Sequence, residues 1–534
     1  MSTLAEAPRP GLATWAASVD HKRVAVRLTV YSLVFFAASG ILALLMRSEL
    51  AWPGLQIVSH DTYNQLFTMH GSGMFYLVMT PLALALGVYF VPLQIGAADL
   101  PAPRLVLLGE LLNLGGGLTM FSGFFVAHGA AKSGWTAFFP LSGLPYAQGY
   151  GMDLWILGVI MVALGQILLG AILLAAVLRY RAPGMTMLKI PVFSWSMVAT
   201  CLMVVTAFPA LIAAMTILFL ERHGASILDS AGGPIAYQHL FWFYGHPVVY
   251  VTFFPFVGAA AEAVAIFSRK RFFGYHAFVL SLLAFAGLSM SVWAHHMFAT
   301  GQVLNKYFSL TSTLLVIPAG IEYFDMIGTM IGGRISVRTP LLFASGFLVL
   351  FAIGGVTGIF VASPPLDYHV HDSMFVVAHF HYTLFAGSLF AFFAAFYYWW
   401  PKVTGCFLRT GLGWLHFALL TIGANLTFFP MFLFGYDGMP RRVADYSSQF
   451  TDLNRASSIG AAVIALAVLA WIANVVVSLA RREPAPADPW GGHTLEWATT
   501  SPPPRHNFSD PLPPIRSFAP LLDARQRSSE ERVG

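Results

Sequence analysis

Charged residues are scarce in this sequence. Only 10% of its 534 residues are Asp, Glu, Lys or Arg, and 57% are hydrophobic, whereas a soluble domain carries about 25% charged residues. The formal net charge is only +5, and the Lys and Arg residues are spread between apolar runs rather than clustered. The composition therefore excludes an ordinary soluble protein and gives no sign of nucleic-acid binding, and it predicts a polytopic membrane protein.

Cysteine is almost absent as well. The two cysteines, Cys201 and Cys406, lie far apart near the ends of apolar runs, which excludes a disulfide framework and a cysteine-based metal site. The first twenty residues contain neither the apolar core nor the cleavage pattern of a signal peptide. We therefore expect the first apolar run to be a membrane span that is retained.

What the sequence does contain is a series of about twelve apolar runs of membrane-spanning length. All of them should be α-helices, because open strands leave backbone groups unpaired in lipid. The fold class is therefore predicted to be all-α, a polytopic bundle of about twelve transmembrane helices. The runs lie near residues 25–46, 66–93, 105–127, 153–178, 191–219, 239–267, 273–298, 308–331, 340–362, 373–400, 411–434 and 458–480.

The bundle is predicted to form one domain over residues 25–481, with an N-terminal segment at 1–24 and a Pro-rich, mostly irregular tail at 482–534. Alternate loops, beginning with Lys22 and Arg23 before the first run, carry most of the Lys and Arg residues. Positively charged loops remain on the cytoplasmic side. We therefore predict that both termini are cytoplasmic and that the protein is a multi-pass component of a bacterial inner membrane.

The most informative stretch is the pair His379 and His381 inside the tenth run. Residues two apart on a helix differ by about 200° of rotation, so the two side chains point to opposite sides. An ionisable residue at membrane depth is costly and is a functional hypothesis by default. The pair predicts one helix that gives an axial ligand to each of two metal centres.

Other histidines lie in equally apolar surroundings. His70 is near the start of the second run, His295 and His296 are adjacent, and His246 precedes Pro247 in the sixth run. Each alone would more often be a buried histidine that is satisfied by hydrogen bonds. Together with the first pair they favour metal ligation, since neutral imidazole binds both copper and iron.

These motifs carry a family resemblance. Together with the stretch from His60 to Gly71, they resemble the catalytic subunit, subunit I, of the heme-copper oxidases, and the likeness runs from about residue 20 to 508. The resemblance implies two hemes, expected to be A-type, and one copper. The implied ligands are His70 and His381 for the low-spin heme, His379 for the high-spin heme, and His246, His295 and His296 for the copper. Tyr250 matches the tyrosine that the family cross-links to a copper-ligating histidine.

The resemblance also implies roles for residues near the ends of the spans. Arg47 matches an arginine that contacts the low-spin heme, although snorkelling to the interface is an equal alternative. Arg441 and Arg442 match a pair that binds heme propionates. His371 and Asp372 match a magnesium site, with Asp372 as a helix N-cap being the alternative reading.

The implied activity is reduction of O2 to water by a terminal respiratory oxidase. His246 and Tyr250 are one helical turn apart, so the tyrosine can act beside the copper as a catalytic residue. A nitric oxide reductase on the same scaffold would not require Tyr250, and a non-catalytic heme-handling protein would not require three further histidines. These remain the alternatives.

The same resemblance implies partners. The sequence has no cysteine-rich copper site, so a subunit II should carry the site that accepts electrons, beside a subunit III-like chain and small accessory subunits. Quinol is the alternative donor, but Ala38, Leu42 and Thr62 occupy positions where the quinol-oxidising branch has polar or charged residues. Cytochrome c is therefore the expected donor.

The chain departs from the family in its proton paths. Val248 stands where a glutamate usually ends one path, although Asp99 matches the entrance of that path and Tyr244 matches a tyrosine that a related branch uses instead. Glu322 stands where the second path has a lysine. Neither usual path is intact, so we expect turnover through an alternative route, with weak or absent pumping. Glu322 is either a relay acid or a partnered glutamate without a transport role.

Overall fold

The computed structural model describes residues 11–533. Within that range the chain is helical apart from loops and two isolated β-bridges. Twelve helical segments are long and apolar enough to span a membrane, which confirms the predicted all-α bundle. We number them α1 to α12: His21–Glu49, His60–Gln94, Pro103–Phe125, Gly151–Arg179, Val192–Arg222, Gly233–Phe267, Tyr275–Thr300, Asn305–Met330, Thr339–Ala362, Met374–Thr404, Thr410–Tyr436 and Ser448–Arg481. The first ten residues of the predicted N-terminal segment lie outside the described range.

The spans differ in how much of their surface is covered. Spans α2 and α6 are buried on nearly all sides, whereas α1 and α12 leave most of their surface open. The open faces carry large apolar side chains such as Val34, Ile41 and Leu469. This arrangement is what a bundle in lipid requires, because outward-facing apolar residues need no water-soluble cover.

Departures from regular α-helix occur at the histidines. Span α2 becomes a π-helix at Gly73–Met79, just after His70, and α10 becomes one at His381–Leu389. Such π-helical turns shift the register of side chains and frequently mark functional sites. The sequence pattern of apolar residues gives no sign of them.

The sixth and seventh spans are also interrupted. The first helix of α6 ends at Gly245, and the helix resumes at Pro247, so His246 lies at the junction. The last turns of α7, Trp293–Thr300, form a 3₁₀-helix that contains both adjacent histidines. In both places the irregular backbone directs imidazoles toward the interior of the bundle.

The segment after Arg481 folds back across one face of the bundle, which we call the tail side. Lys402, at the end of α10, is fully buried, and its Nζ donates to the carbonyl oxygens of Ala487 (2.9 Å), Thr499 (2.8 Å) and Thr500 (3.2 Å). Most of this tail is irregular, as predicted. It ends in a helix, Pro520–Val533, which the sequence analysis did not anticipate.

The direction of the spans gives the histidines their depth. Span α1 begins on the tail side, where the imidazole of His21 contacts Oδ1 of Asn507 at 3.1 Å. Even-numbered spans therefore begin on the opposite, far side. His70 and His381 occur within the first half of even-numbered spans, and His295 and His296 lie at the end of α7. All lie toward the far side.

A histidine-lined candidate metal centre

Three imidazoles converge where α6 and α7 meet. One ring nitrogen of each of His246, His295 and His296 lies within 4.8 Å of the other two. Nε2 of His296 is 3.3 Å from Nδ1 of His246 and 3.2 Å from Nε2 of His295. Three neutral imidazoles cannot satisfy one another fully, because each has only one N–H donor. A metal ion that accepts three lone pairs fits this arrangement, and an all-imidazole site suits copper.

Neighbouring side chains fix the orientation of two of these rings. The hydroxyl of Ser312 donates to the carbonyl oxygen of Phe308, and its oxygen lies 2.7 Å from Nδ1 of His295. The ring therefore donates its Nδ1–H to Ser312 and keeps the lone pair of Nε2 for the centre. The ring of His296 stacks on Trp242, with centroids 3.9 Å apart and planes 12° apart.

His246 uses the other ring nitrogen. Its Nδ1 faces the other two histidines, and its Nε2 is buried with no hydrogen-bond partner. The ring of Tyr250 lies one turn further along, with its centroid 4.7 Å from that of His246. A buried unsatisfied nitrogen is expensive, and Tyr250 is the neighbouring aromatic side chain on the same span.

His379 faces the same three histidines from α10. Its Nδ1 is 3.1 Å from the carbonyl oxygen of Gly354 and 3.2 Å from Oγ1 of Thr357. A carbonyl oxygen can only accept, so Nδ1 carries the proton and Nε2 is free as a ligand. A Cβ on Gly358 would come 3.2 Å from Cε1 of His379, so the glycine allows α9 to approach the ring closely.

His70 and His381 repeat this pattern. Nδ1 of His70 lies 3.0 Å from the carbonyl oxygen of Ser39, and Nδ1 of His381 lies 2.8 Å from that of Val377. Both Nε2 atoms are thus available, and the two imidazoles are near enough to interact electrostatically. His379 points toward the three-histidine group instead. His379 and His381 therefore point to different sides of α10, as their spacing predicts.

A cavity of about 270 Å³ joins the first group of residues. His246, His295, His296, Tyr250 and His379 all line it, whereas His70 and His381 do not. The structure therefore separates one site with three histidines opposite a fourth from a second site with two histidines. This division matches a high-spin heme facing copper and a separate low-spin heme.

The far-side wall of the cavity is strongly polar. It includes His371, Asp372, Arg441 and Arg442. Nε of Arg441 donates to Oδ1 of Asp372 at 2.7 Å, and Asp372 and Arg442 both have left-handed backbone conformations, with φ of 54° and 63°. Such conformations are strained for residues other than glycine and persist where the surroundings demand them.

The protonation of this wall follows from its ion pairs. Nδ1 of His371 lies 2.9 Å from Oδ2 of Asp367, and this hydrogen bond raises the pKa of His371. Burial alone would raise the pKa of Asp372, but the guanidinium groups of Arg441 and Arg442 outweigh it and hold the pKa below its usual range. Each predicted magnesium ligand thus already has a protein partner.

The N-cap reading of Asp372 is wrong. The N-cap of the helix that carries His379 is Ser373, whose side chain accepts from the backbone N–H of Phe375 at 3.2 Å. The carboxylate of Asp372 is instead bound by Arg441. The error arose because aspartate and serine are both good N-caps and are adjacent here.

Arg47 does not reach toward the interface. Its guanidinium is buried, and Nη2 donates to the carbonyl oxygen of Asn454 at 2.7 Å. Its Nε and Nη1 are buried without a hydrogen-bond partner. The snorkelling alternative is therefore wrong, and the two orphaned donors fit an anionic or carbonyl group of a bound heme.

The three candidate proton-path residues have different surroundings. Asp99 follows α2 on the tail side, and its Oδ1 accepts from the backbone N–H of Leu100. Tyr244 is fully buried against Phe208, with ring centroids 4.8 Å apart. Glu322 is buried with its Oε1 unpartnered, one helical turn from Ala319, which lines the cavity. None of the three lines the cavity itself.

Sequence reasoning missed the groups that orient the ligands, notably Ser312, Gly354 and Thr357. None of them lies within ten residues of the histidine it supports. No local spacing could have identified them.

Comparisons with known proteins agree on one family. The sequence model of the family described as cytochrome c and quinol oxidase polypeptide I matches residues 23–463. The chain is 48% identical over 518 residues to a putative cytochrome c oxidase subunit 1-beta of Streptomyces coelicolor, covering 96% of this chain and 90% of that protein. It is 44% identical over 533 residues to cytochrome c oxidase subunit 1 of Corynebacterium efficiens, covering 98% and 92%.

A solved structure has a similar fold. The cryo-EM structure of a heme-copper terminal oxidase dimer superimposes with a TM-score of 0.77 and 19% sequence identity. The match covers 86% of this chain and 84% of the other. At this identity the likeness supports the fold.

Proposed function

The chain belongs to the cytochrome c and quinol oxidase subunit I family, and we propose that it reduces O2 to water with electrons from cytochrome c. It is the catalytic subunit of a terminal oxidase. The observation that carries the proposal is the arrangement at one cavity of His379, the three converging histidines and Tyr250 beside the orphaned Nε2 of His246.

The residues present fit the implied metal groups. His246, His295 and His296 would hold one copper, His379 would hold the high-spin heme, and His70 with His381 would hold the low-spin heme. We propose A-type hemes for both sites. When bound, the cavity iron and copper would supply electrons to O2.

The protein residues supply the remaining needs of the reaction. Reducing one O2 to two waters takes four electrons and four protons. Tyr250 lines the cavity, and we propose that it contributes one hydrogen atom, an electron with its proton. Ser312 and Gly354 keep the lone pairs of His295 and His379 directed inward by accepting the opposite N–H groups.

The orphaned guanidinium atoms of Arg47 would contact the low-spin heme, and Arg441 with Arg442 would bind heme propionates at the far-side wall. Arginine suits this task, because its planar fork pairs with carboxylates in a bidentate manner. We propose magnesium at His371 and Asp372, in competition with Asp367 and Arg441.

Electrons should arrive from outside this chain. Its two cysteines are buried and unpaired, and neither belongs to a group of converging ligands. We therefore propose a subunit II with the electron-accepting copper site, beside a subunit III-like chain and accessory subunits. The tail side would face the cytoplasm of a bacterial cell, since it carries most of the cationic loops.

Protons for the reaction should pass Glu322. It lies one turn from Ala319 at the cavity wall, toward the tail side, and one of its carboxyl oxygens is unpartnered. Asp99 and Tyr244 are the remaining candidates. With Val248 in place of the usual glutamate, we propose weak or absent pumping.

The test is one purified complex, analysed for heme and copper and assayed on O2 and on NO. The proposal predicts two hemes and one copper in subunit I, in addition to the copper that subunit II carries, with cytochrome c-dependent O2 consumption. NO reduction without O2 reduction would overturn it in favour of a nitric oxide reductase. Protein with two histidine-ligated heme irons but no copper and no turnover would indicate a heme-handling protein.

A further inference from the structure

A second buried polar cluster lies on the tail side, away from the metal centre. The side-chain amide of Gln94, at the end of α2, donates to Oε2 of Glu262 at 2.8 Å and to Oε1 of Glu496 at 3.2 Å. Glu262 belongs to α6 and Glu496 to the tail, and all three side chains are at least nine-tenths buried. Two carboxyl groups are thus joined through the NH2 group of one amide.

The carboxyl oxygens of the two glutamates do not all accept hydrogen bonds. Oε1 of Glu262 accepts from the backbone N–H of Phe193 at 3.0 Å, and Oε1 of Glu496 also accepts from Nε1 of Trp399 at 3.2 Å. Three of the four carboxyl oxygens therefore have donors. Oε2 of Glu496 has none, so a proton can sit there without breaking any hydrogen bond already made.

The hydroxyl of Thr494 lies near the carboxyl group of Glu496. It interacts with the carboxyl group of Glu496, yet its Oγ1 is buried without completing a hydrogen bond to another residue. A protonated Glu496 could donate to Thr494, and the hydroxyl could in turn donate to water. A carboxyl oxygen and a hydroxyl that both lack a hydrogen-bond partner are expected at a site that exchanges a proton.

Few positive charges lie near Glu262 and Glu496 to balance two carboxylates. Lys402 interacts electrostatically with Glu496, but its Nζ already donates to three carbonyl oxygens. Asp488 adds further negative charge, and Tyr398 faces both glutamates. Arg271 and Arg525 face His493 rather than the carboxyl groups. Two carboxylates with one committed cation favour uptake of a proton.

A small cavity adjoins the cluster. The cavity of about 20 Å³ is lined by Glu262, His493, Thr494 and Phe518, and this volume is enough for about one water molecule. The ring of Phe518 stacks on Tyr275 with centroids 4.0 Å apart and planes 2° apart. The tail therefore closes the cavity toward the surface while leaving room for one water beside Glu262 and Thr494.

We propose that Glu496, coupled to Glu262 through Gln94, is a proton-binding site that takes protons from the tail side for the reaction at the metal centre. The proton comes from water at the cavity, resides on Oε2 of Glu496 and is released onward as the centre consumes protons. Neither carboxyl group is oxidised or reduced. The inference deepens the proposed function and rests on it.

Two observations support the direction of transfer. Burial raises the pKa of Glu496, which favours its protonated form. Glu262 lies on the same span as His246 and Tyr250, about 18 Å along the helix from the tyrosine at 1.5 Å per residue. The pair thus stands at the tail-side end of the span that carries the catalytic residues.

The test uses the complete oxidase complex with Glu496→Gln. Glutamine has the shape of a protonated glutamate and can donate from the position of Oε2, so the fold and both hemes should be retained. Oxygen consumption by the variant should fall by about tenfold, the factor that corresponds to one pKa unit. Wild-type turnover should decline with rising pH as Glu496 loses its proton, and the variant should not show this decline. The matched control is Glu483→Gln, on the same side, because that carboxylate is exposed and its ion pair with Arg409 is worth little.

A second measurement needs no variant to fold. Infrared spectra of the wild-type complex should show a protonated buried carboxyl group whose carbonyl band disappears with rising pH, and this band should be absent from Glu496→Gln. If the variant kept both wild-type turnover and the band, Glu496 would not be the site. Wild-type protein that fails to reduce O2 would instead contradict the proposed function, so the two failures are distinguishable.

Discussion

Ser312 and His295 form a hydrogen-bonded pair at the edge of the histidine cluster. Oγ of Ser312 lies 2.7 Å from Nδ1 of His295 and simultaneously donates to the carbonyl oxygen of Phe308. The serine therefore fixes which nitrogen of the imidazole carries the proton. Partners of this kind set the orientation and basicity of a ligating histidine.

Ser312→Ala should weaken copper binding by about 10- to 100-fold, because the ring loses its acceptor and can rotate. The measurement is copper content at defined free copper, with both hemes quantified in the same sample. Ser309→Ala is the control. Ser309 is on the same helix as Ser312, and its hydroxyl donates to the carbonyl oxygen of Ala362 rather than contacting a histidine. Equal copper affinity in the two variants would show that Ser312 does not orient the ligand.

His296→Ala should abolish copper binding while both hemes remain. One ring nitrogen of this residue lies within 3.3 Å of both other histidines of the cluster, so its removal takes away a shared ligand. Metal analysis with heme spectra checks the outcome. Full copper occupancy in the variant would refute the assignment.

His381→Ala should remove the low-spin heme signal and leave a heme that binds carbon monoxide. The physical reason is that His379 and His381 point to opposite sides of α10, and only His379 lines the cavity. Optical spectra of reduced protein with and without carbon monoxide provide the measurement. A persistent low-spin signal would contradict the division into two heme sites.

The ion pair between Asp372 and Arg441 predicts a pH dependence. The pKa of Asp372 is lowered in the folded protein, so the contribution of its charge is present above the unfolded value of about 3.9 and is lost as the pH falls through the folded value. The carboxylate infrared band that Asp372→Asn removes should therefore persist unchanged from neutral pH down to about pH 4. Loss of the band at a higher pH would contradict the ion pair.

The sequence indicates the candidate ligands, because each of these histidines lies in a short local pattern within an apolar run. A separation of two residues on one helix was enough to predict that His379 and His381 point to different sides. The groups that join distant segments could not be inferred in this way. Gln94 and Glu496 are 402 positions apart, and nothing near either residue indicates that the tail returns to the end of α2.

Glu322→Gln should slow O2 reduction without changing heme or copper content. Glutamine keeps the shape of the side chain and removes the titratable proton, and the unpartnered Oε1 means that little structural bonding is lost. We expect about a hundredfold loss, at the low end of what a positioned proton-transfer group contributes. An unchanged rate would remove Glu322 from the proton route and leave it as a buried glutamate without a transport role.

The most direct test of oxygen chemistry at this centre is the turnover of Tyr250→Phe with reduced cytochrome c. The substitution keeps the ring and removes only the hydroxyl, so both hemes, the copper and the packing against Phe285, whose ring centroid is 4.6 Å away, should be preserved. The account predicts that O2 consumption falls to a small fraction of the wild-type rate while metal content stays the same. O2 consumption within about twofold of wild type would contradict it, because a loss of that size in rate is well below 1 kcal/mol.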